Sequence, residues 1–157
     1  MLADIGERSG LALALDAYGS CAIEYDGVFE IVITACDRGE GVLLHSPIQF
    51  ADLADPLAQL RRCLQLCVYG AATGGAALGL DPEGDVIVLW RRMRLSGLNS
   101  HALEQAIVAF AAAADRIRER LSHPGESDEG GDEDDHVDGD GDEQPFAFAG
   151  NAGLVRV

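Results

Sequence analysis

The stretch Leu57-Ala-Gln-Leu60-Arg-Arg-Cys63-Leu64-Gln-Leu66-Cys67-Val68-Tyr69-Gly70-Ala-Ala-Thr73-Gly74-Gly75-Ala76-Ala-Leu78-Gly79-Leu80-Asp81-Pro-Glu-Gly-Asp85-Val86-Ile87-Val88-Leu89-Trp90 decides the fold. Its first part reads as a helix whose apolar residues, Leu57, Leu60, Cys63, Leu64, Leu66, Cys67, Val68 and Ala71, cover roughly 200° of the wheel, where one core face needs about 100°. A glycine-rich crossing then leads to a strand that is apolar on both sides, Val86, Val88 and Trp90 alternating with Ile87 and Leu89. One domain cannot cover so much apolar surface, so the pattern predicts a homodimer, with Leu60, Leu64, Val68 and Trp90 as anchors.

Upstream, Asp55 stands as N-cap with Pro56 at the first helical position. Before that come three short strands. Cys21, Ile23 and Tyr25 alternate with Ala22 and Glu24, Asp26-Gly27 supplies a two-residue hairpin turn, and Phe29, Ile31 and Ile33 alternate with Glu30 and Val32. A second turn, Asp37-Arg-Gly-Glu40, returns the chain through Val42 to Leu44, which completes an antiparallel meander. The chain opens with capping-box spacing at Asp4 and Glu7 and a helix expected to reach about Ala17. Its stripe is Leu11, Ala14, Leu15 and Tyr18, and Leu13 points away from it. Downstream, Asn99 caps a helix whose stripe runs Leu103, Ala106, Ile107, Phe110, Ala114, Ile117 and Leu121. The expected fold class is therefore α+β: helix, three-stranded antiparallel meander, helix, two strands, helix.

Charge divides the chain unevenly. Residues 1 to 121 carry sixteen acids against ten arginines, whereas eleven acids and no arginine lie between Ser122 and Pro145. The expected organisation is a domain over 1–122, a disordered acidic linker over 123–145 and a short apolar segment over 146–157. So acidic a chain is a poor partner for nucleic acid. No apolar run reaches the roughly 18 residues of a membrane span, and Asp4 and Glu7 do not suit a signal peptide, so the expectation is a cytoplasmic protein without membrane insertion. The absence of lysine beside abundant alanine and glycine is associated with a GC-rich bacterial genome.

Catalytic and cofactor chemistry finds little support. Gly70 to Gly75 has the outer spacing of a phosphate-binding loop, but Ala76 stands where its lysine belongs, and the order is helix then strand. Cys63 and Cys67 sit one turn apart without histidines at ligand spacing, so the four cysteines read as small buried thiols. His45, His101, His123 and His136 are scattered, and no serine sits on a nucleophile elbow. The acidic run from Asp138 to Glu143 imitates a calcium loop but lacks flanking helices and the terminal glutamate. The expectation is no enzyme, no cofactor and no metal.

Leu15-Asp16, the Asp26-Gly27 turn followed by Phe29 to Ile33, Gly74-Gly-Ala-Ala-Leu-Gly-Leu-Asp81, the strand ending at Trp90, and Leu98 to Phe110 resemble the type III secretion chaperones of the CesT (Tir chaperone) family, class I. The resemblance covers Leu11 to Leu121 and implies a small acidic homodimer. Such a dimer would bind the N-terminal segments of exported effectors without ATP and keep them export-competent. It also brings in the secretion ATPase as a candidate partner, and broad-specificity members are similar in size. The first helix and the meander are the implied client surface, for which Leu13, Phe29, Ile31, Ile33 and Leu43 are nominated. The alternative is a regulatory domain of the same fold that takes no export substrate. The long acidic tail and the apolar end after it depart from the group. Phe146 and Phe148 have strand-like period, and a tether of about 24 residues reaches roughly 25 to 30 Å, so the end is expected to dock weakly in the empty client groove.

Overall fold

The computed structural model describes residues 1–52, 54–122 and 154–155. Helix α1 (Leu2–Ser9) precedes strands β1 (Ser20–Tyr25), β2 (Phe29–Cys36) and β3 (Gly41–Phe50). Helix α2 (Pro56–Cys67) follows, then β4 (Ala77–Asp81), β5 (Val86–Arg94) and helix α3 (Ser100–Ser122). The expected α+β class, with three helices and an antiparallel sheet, is what the chain forms. Two further residues, Leu154–Val155, make β6, and the strand order is β4-β5-β3-β2-β1-β6. The acidic stretch 123–145, with Phe146 and Phe148 after it, lies outside the described residues.

Local chemistry explains most boundaries. The Asp55 carboxylate accepts from the Ala58 N–H at 3.0 Å with Pro56 at the first helical position, and Asn99 caps α3 by accepting from Ala102 at 2.8 Å. In the β1–β2 hairpin, Asp26 and Gly27 both take positive φ, and the Val28 N–H donates to Tyr25 at 3.0 Å. Pairing resumes only at Tyr25 with Phe29, so the loop holds one residue more than the two-residue turn expected. Strand β5 runs past Trp90 to Arg94 because Arg91 to Arg94 pair with Leu44 to Gly41 of β3.

The first helix differs most from its expectation. It ends at Ser9, where Gly10 takes the left-handed conformation at φ 72°, and residues 11 to 16 are not helical. The chain doubles back on the helix, with the Leu11 N–H donating to the Gly6 carbonyl at 2.9 Å. A Cβ on Gly6 would lie 2.4 Å from the Leu11 carbonyl oxygen, so this return needs glycine there. The fold-back carries Leu13 into the core.

Among the described residues, helices cover one face of the sheet and not the other. Cys21, Ile23, Phe29, Ile31, Ile33, Leu44, Ile48, Ile87 and Leu89 point to the covered face and are buried with Ile5, Leu103, Ile107, Phe110 and Ile117 of α1 and α3. Arg118 pins the end of α3 to the central strand. Its guanidinium donates to the Ile48 carbonyl at 2.8 Å, beside a bulge between Pro47 and Gln49, and lies 5.4 Å from the Phe29 ring centroid. Arg8 of α1 pairs with Glu104 of α3, which fixes the two helices to each other.

Candidate protein-interaction surfaces

Helix α2 lies on the same side of the sheet as α3 but over its β4 end, and it buries only Gln59 and Cys63. Gln59 is held by two bonds, its amide donating to the Phe50 carbonyl at 3.2 Å and its oxygen accepting from Asp52 at 2.6 Å. Leu66 and Cys67 are half-buried, and much of the remaining apolar wheel faces outward: Leu64 is 72% exposed, Leu57 still more so, and Leu60 and Val68 are exposed too. Tyr69, at positive φ in the short turn after the helix, is fully exposed. A cleft of about 240 Å³ between helix and sheet is lined by Leu60, Cys63, Leu64, Cys67, Leu78 and Leu80, among others. Burial pushes the Cys63 thiol up in pKa, which keeps it protonated and unreactive at neutral pH.

The opposite face of the sheet has no helix over it among the described residues. There Leu43 is cross-strand from Arg92, and His45 from Trp90. Leu43, Val88 and His45 are half-buried and Trp90 is 42% exposed. A second cleft, of about 600 Å³, is lined by Leu43, His45, Val88 and Trp90, with Asp37 and Arg92 at one end. Arg92 donates to both carboxylate oxygens of Asp37, which holds that carboxyl below its usual range. Partial burial lowers the pKa of His45, opposed in part by Glu30, so the ring stays neutral at pH 7.

The two clefts meet around the β4 edge, since Gly79 and Leu80 line both. Gly79 permits this: the Trp90 indole nitrogen lies 3.5 Å from where a Cβ on Gly79 would stand, so the ring rests against bare backbone. An apolar surface therefore runs from Leu60 and Leu64 across Leu80 to Trp90. Single exposed apolar residues are ordinary, whereas a continuous patch has the character of a surface that a partner could cover.

The nominated residues separate by face. Leu60, Leu64, Val68 and Trp90 all lie at the surface, on the two sides of the β4 edge. Leu13, Phe29, Ile31 and Ile33 lie in the core, Ile31 with no exposure at all, and form the floor under α1 and α3. Leu43 alone of that set reaches the uncovered face. Period-two alternation placed Phe29, Ile31 and Ile33 on one side of the meander but carried no sign of which side the helices cover. Sequence reading nominated Leu43 and Trp90 for different surfaces and missed that they share one cleft with His45 and Val88. Its signal was the pairing of an apolar β5 side with an apolar residue at Leu43.

Among the described residues no three His, Cys, Asp or Glu side chains converge as a metal site, no disulfide joins the cysteines, and no helix is long and apolar enough to cross a membrane.

Among the described residues the chain is a three-helix α+β domain whose helices cover one sheet face, with apolar side chains exposed around the β4 edge. The chain belongs to the Tir chaperone protein (CesT) family, whose model matches residues 1–118. No curated protein matches it in sequence. Solved structures with a similar fold include the HopA1–SchA chaperone–effector complex, at 18% identity and TM-score 0.61 over 75% of this chain and 90% of that one. The ExsC–ExsE complex matches at 18% identity and TM-score 0.66, over 76% and 90% of the two chains. The ExoU–SpcU complex of the Pseudomonas aeruginosa type III secretion system matches at 22% identity and TM-score 0.50, over 77% and 88%.

Proposed function

We propose that the protein is a type III secretion chaperone that works as a cytoplasmic homodimer. It binds the N-terminal segments of effector proteins and keeps them export-competent, with no catalysis, nucleotide or metal. The observation that carries this reading is the apolar surface around the β4 edge, in a chain whose family is one of chaperones. Leu60, Leu64, Val68 and Trp90 anchor the dimer, and burying each leucine there would contribute about 1.5 to 3 kcal/mol. The client lies along the β1 edge and reaches the uncovered face at Leu43, in the cleft that Trp90 borders. Leu13, Phe29, Ile31 and Ile33 act from beneath by fixing that sheet. Residues 1–122 form the binding domain, followed by the acidic stretch 123–145 and the apolar segment 146–157.

Calorimetric titration of the full chain with the N-terminal segment of an effector tests this. The reading expects one segment per two chains and the same affinity with chelator as with magnesium and ATP. Absence of binding, or binding that requires either addition, would contradict it.

A further inference from the structure

Strand β1 ends the five-strand sheet on the side away from β4, and its sequence, Ser20-Cys-Ala-Ile-Glu-Tyr25, carries few of the devices that blunt an edge. It has no proline, no lysine and no bulge in its pairing with β2, and Glu24 is its one charge. An edge of this kind accepts any extended segment that can pair with its main chain. One such segment is already there. Leu154–Val155 pairs antiparallel with it, Leu154 opposite Tyr25 and Val155 opposite Glu24. Residues 123–153 connect it to the end of α3, and a chain of that length can span about 100 Å when extended, ample for a return to the sheet it left.

We propose that the β1 edge is a strand-accepting site and that the chain's own Leu154–Val155 is its resident occupant, which an incoming client strand must displace. This rests on the chaperone reading for the identity of the client, though not for the occupancy. At the other end of β1 the Ser20 main chain is already engaged, its carbonyl accepting from the Asp16 N–H at 2.8 Å and its N–H donating to the Asp16 carboxylate at 2.9 Å. A client strand therefore competes with the resident for the hairpin end of the edge, and one that pairs poorly there is turned away. Between clients, the resident shields an edge that would otherwise invite pairing between copies. Tethering places it at millimolar effective concentration. For a strand with a Kd on the order of 0.1 mM, that weakens a competitor's apparent affinity about tenfold.

The test uses the full chain and its variant Val155→Pro, which removes a main-chain donor from the resident strand without touching the core. Two readouts are compared: amide hydrogen exchange at Glu24, and binding of a labelled synthetic peptide of residues 151–157 added in trans. The proposal expects protection at Glu24 to fall in the variant while Ile31 and Ile33 stay protected, and the peptide to bind the variant about tenfold more tightly than the parent. Unchanged protection together with unchanged peptide binding would overturn it. An effector segment that binds neither protein would count against the chaperone reading alone, because neither readout involves an effector.

Discussion

Helices α2 and α3 sit on the same face of one sheet, yet they meet their surroundings in opposite ways. Helix α3 buries Leu103, Ile107, Phe110, Ala114, Ile117 and Leu121 and turns Asp115 and Glu119 outward, so a single core face uses all of its apolar stripe. Helix α2 buries Gln59 and Cys63 and leaves Leu57 and Leu64 to solvent, so its apolar surface greatly exceeds what its own chain covers. Apolar width on a helix thus counts partners. One stripe specifies one neighbour, and a wrap of twice that width leaves room for a second, the role given to another copy of the chain in the proposed dimer.

Substitution can push the two helices apart. Leu64→Asp should abolish the proposed dimer, since two copies of a leucine each worth roughly 1.5 to 3 kcal/mol are lost and two charges are stranded in the interface. The isolated domain should barely notice, with a stability change within about 0.5 kcal/mol, because the side chain is 72% exposed. Sedimentation equilibrium and urea unfolding read the two effects separately. Phe110→Ala should do the reverse. A fully buried phenylalanine on α3 costs about 3 to 5 kcal/mol when truncated, so the fold weakens in denaturant while the α2 surface is unaltered.

A smaller effect belongs to the uncovered face. The folded protein lowers the His45 pKa through burial, so it binds that proton less readily than the unfolded chain does. The contribution to stability is therefore complete above the ordinary histidine value of about 6.5 and is lost as pH falls through the lowered folded value. His45→Gln should flatten this part of the profile, measured as thermal midpoint between neutral and mildly acid pH.

The same contrast marks how far the fold can be read from residues. Helices α2 and α3 were legible because Asp55, Pro56 and Asn99 mark their starts and their apolar periodicity is unambiguous. Helix α1 was not, because its end is set by a tertiary return against Gly6, which no helical pattern encodes. The far half of β5 was hidden for a related reason: Arg91 to Arg94 look like a charged loop until β3 is long enough to pair with them. The surplus on α2 was visible as a wheel too wide for one core. The client side was not, because alternation in β2 and β3 gives two faces without saying which one the helices take. Only packing decided that Ile31 is floor and Leu43 is surface.

The central claim, a dimer that carries an effector segment, is tested most directly by light scattering on the full chain during size-exclusion chromatography, with and without the N-terminal segment of an effector. The account predicts a free mass of twice the 16.6 kDa chain, rising by the mass of one segment when the client is present. A free mass of one chain, or a dimer whose mass and elution do not change in the presence of the segment, would contradict it.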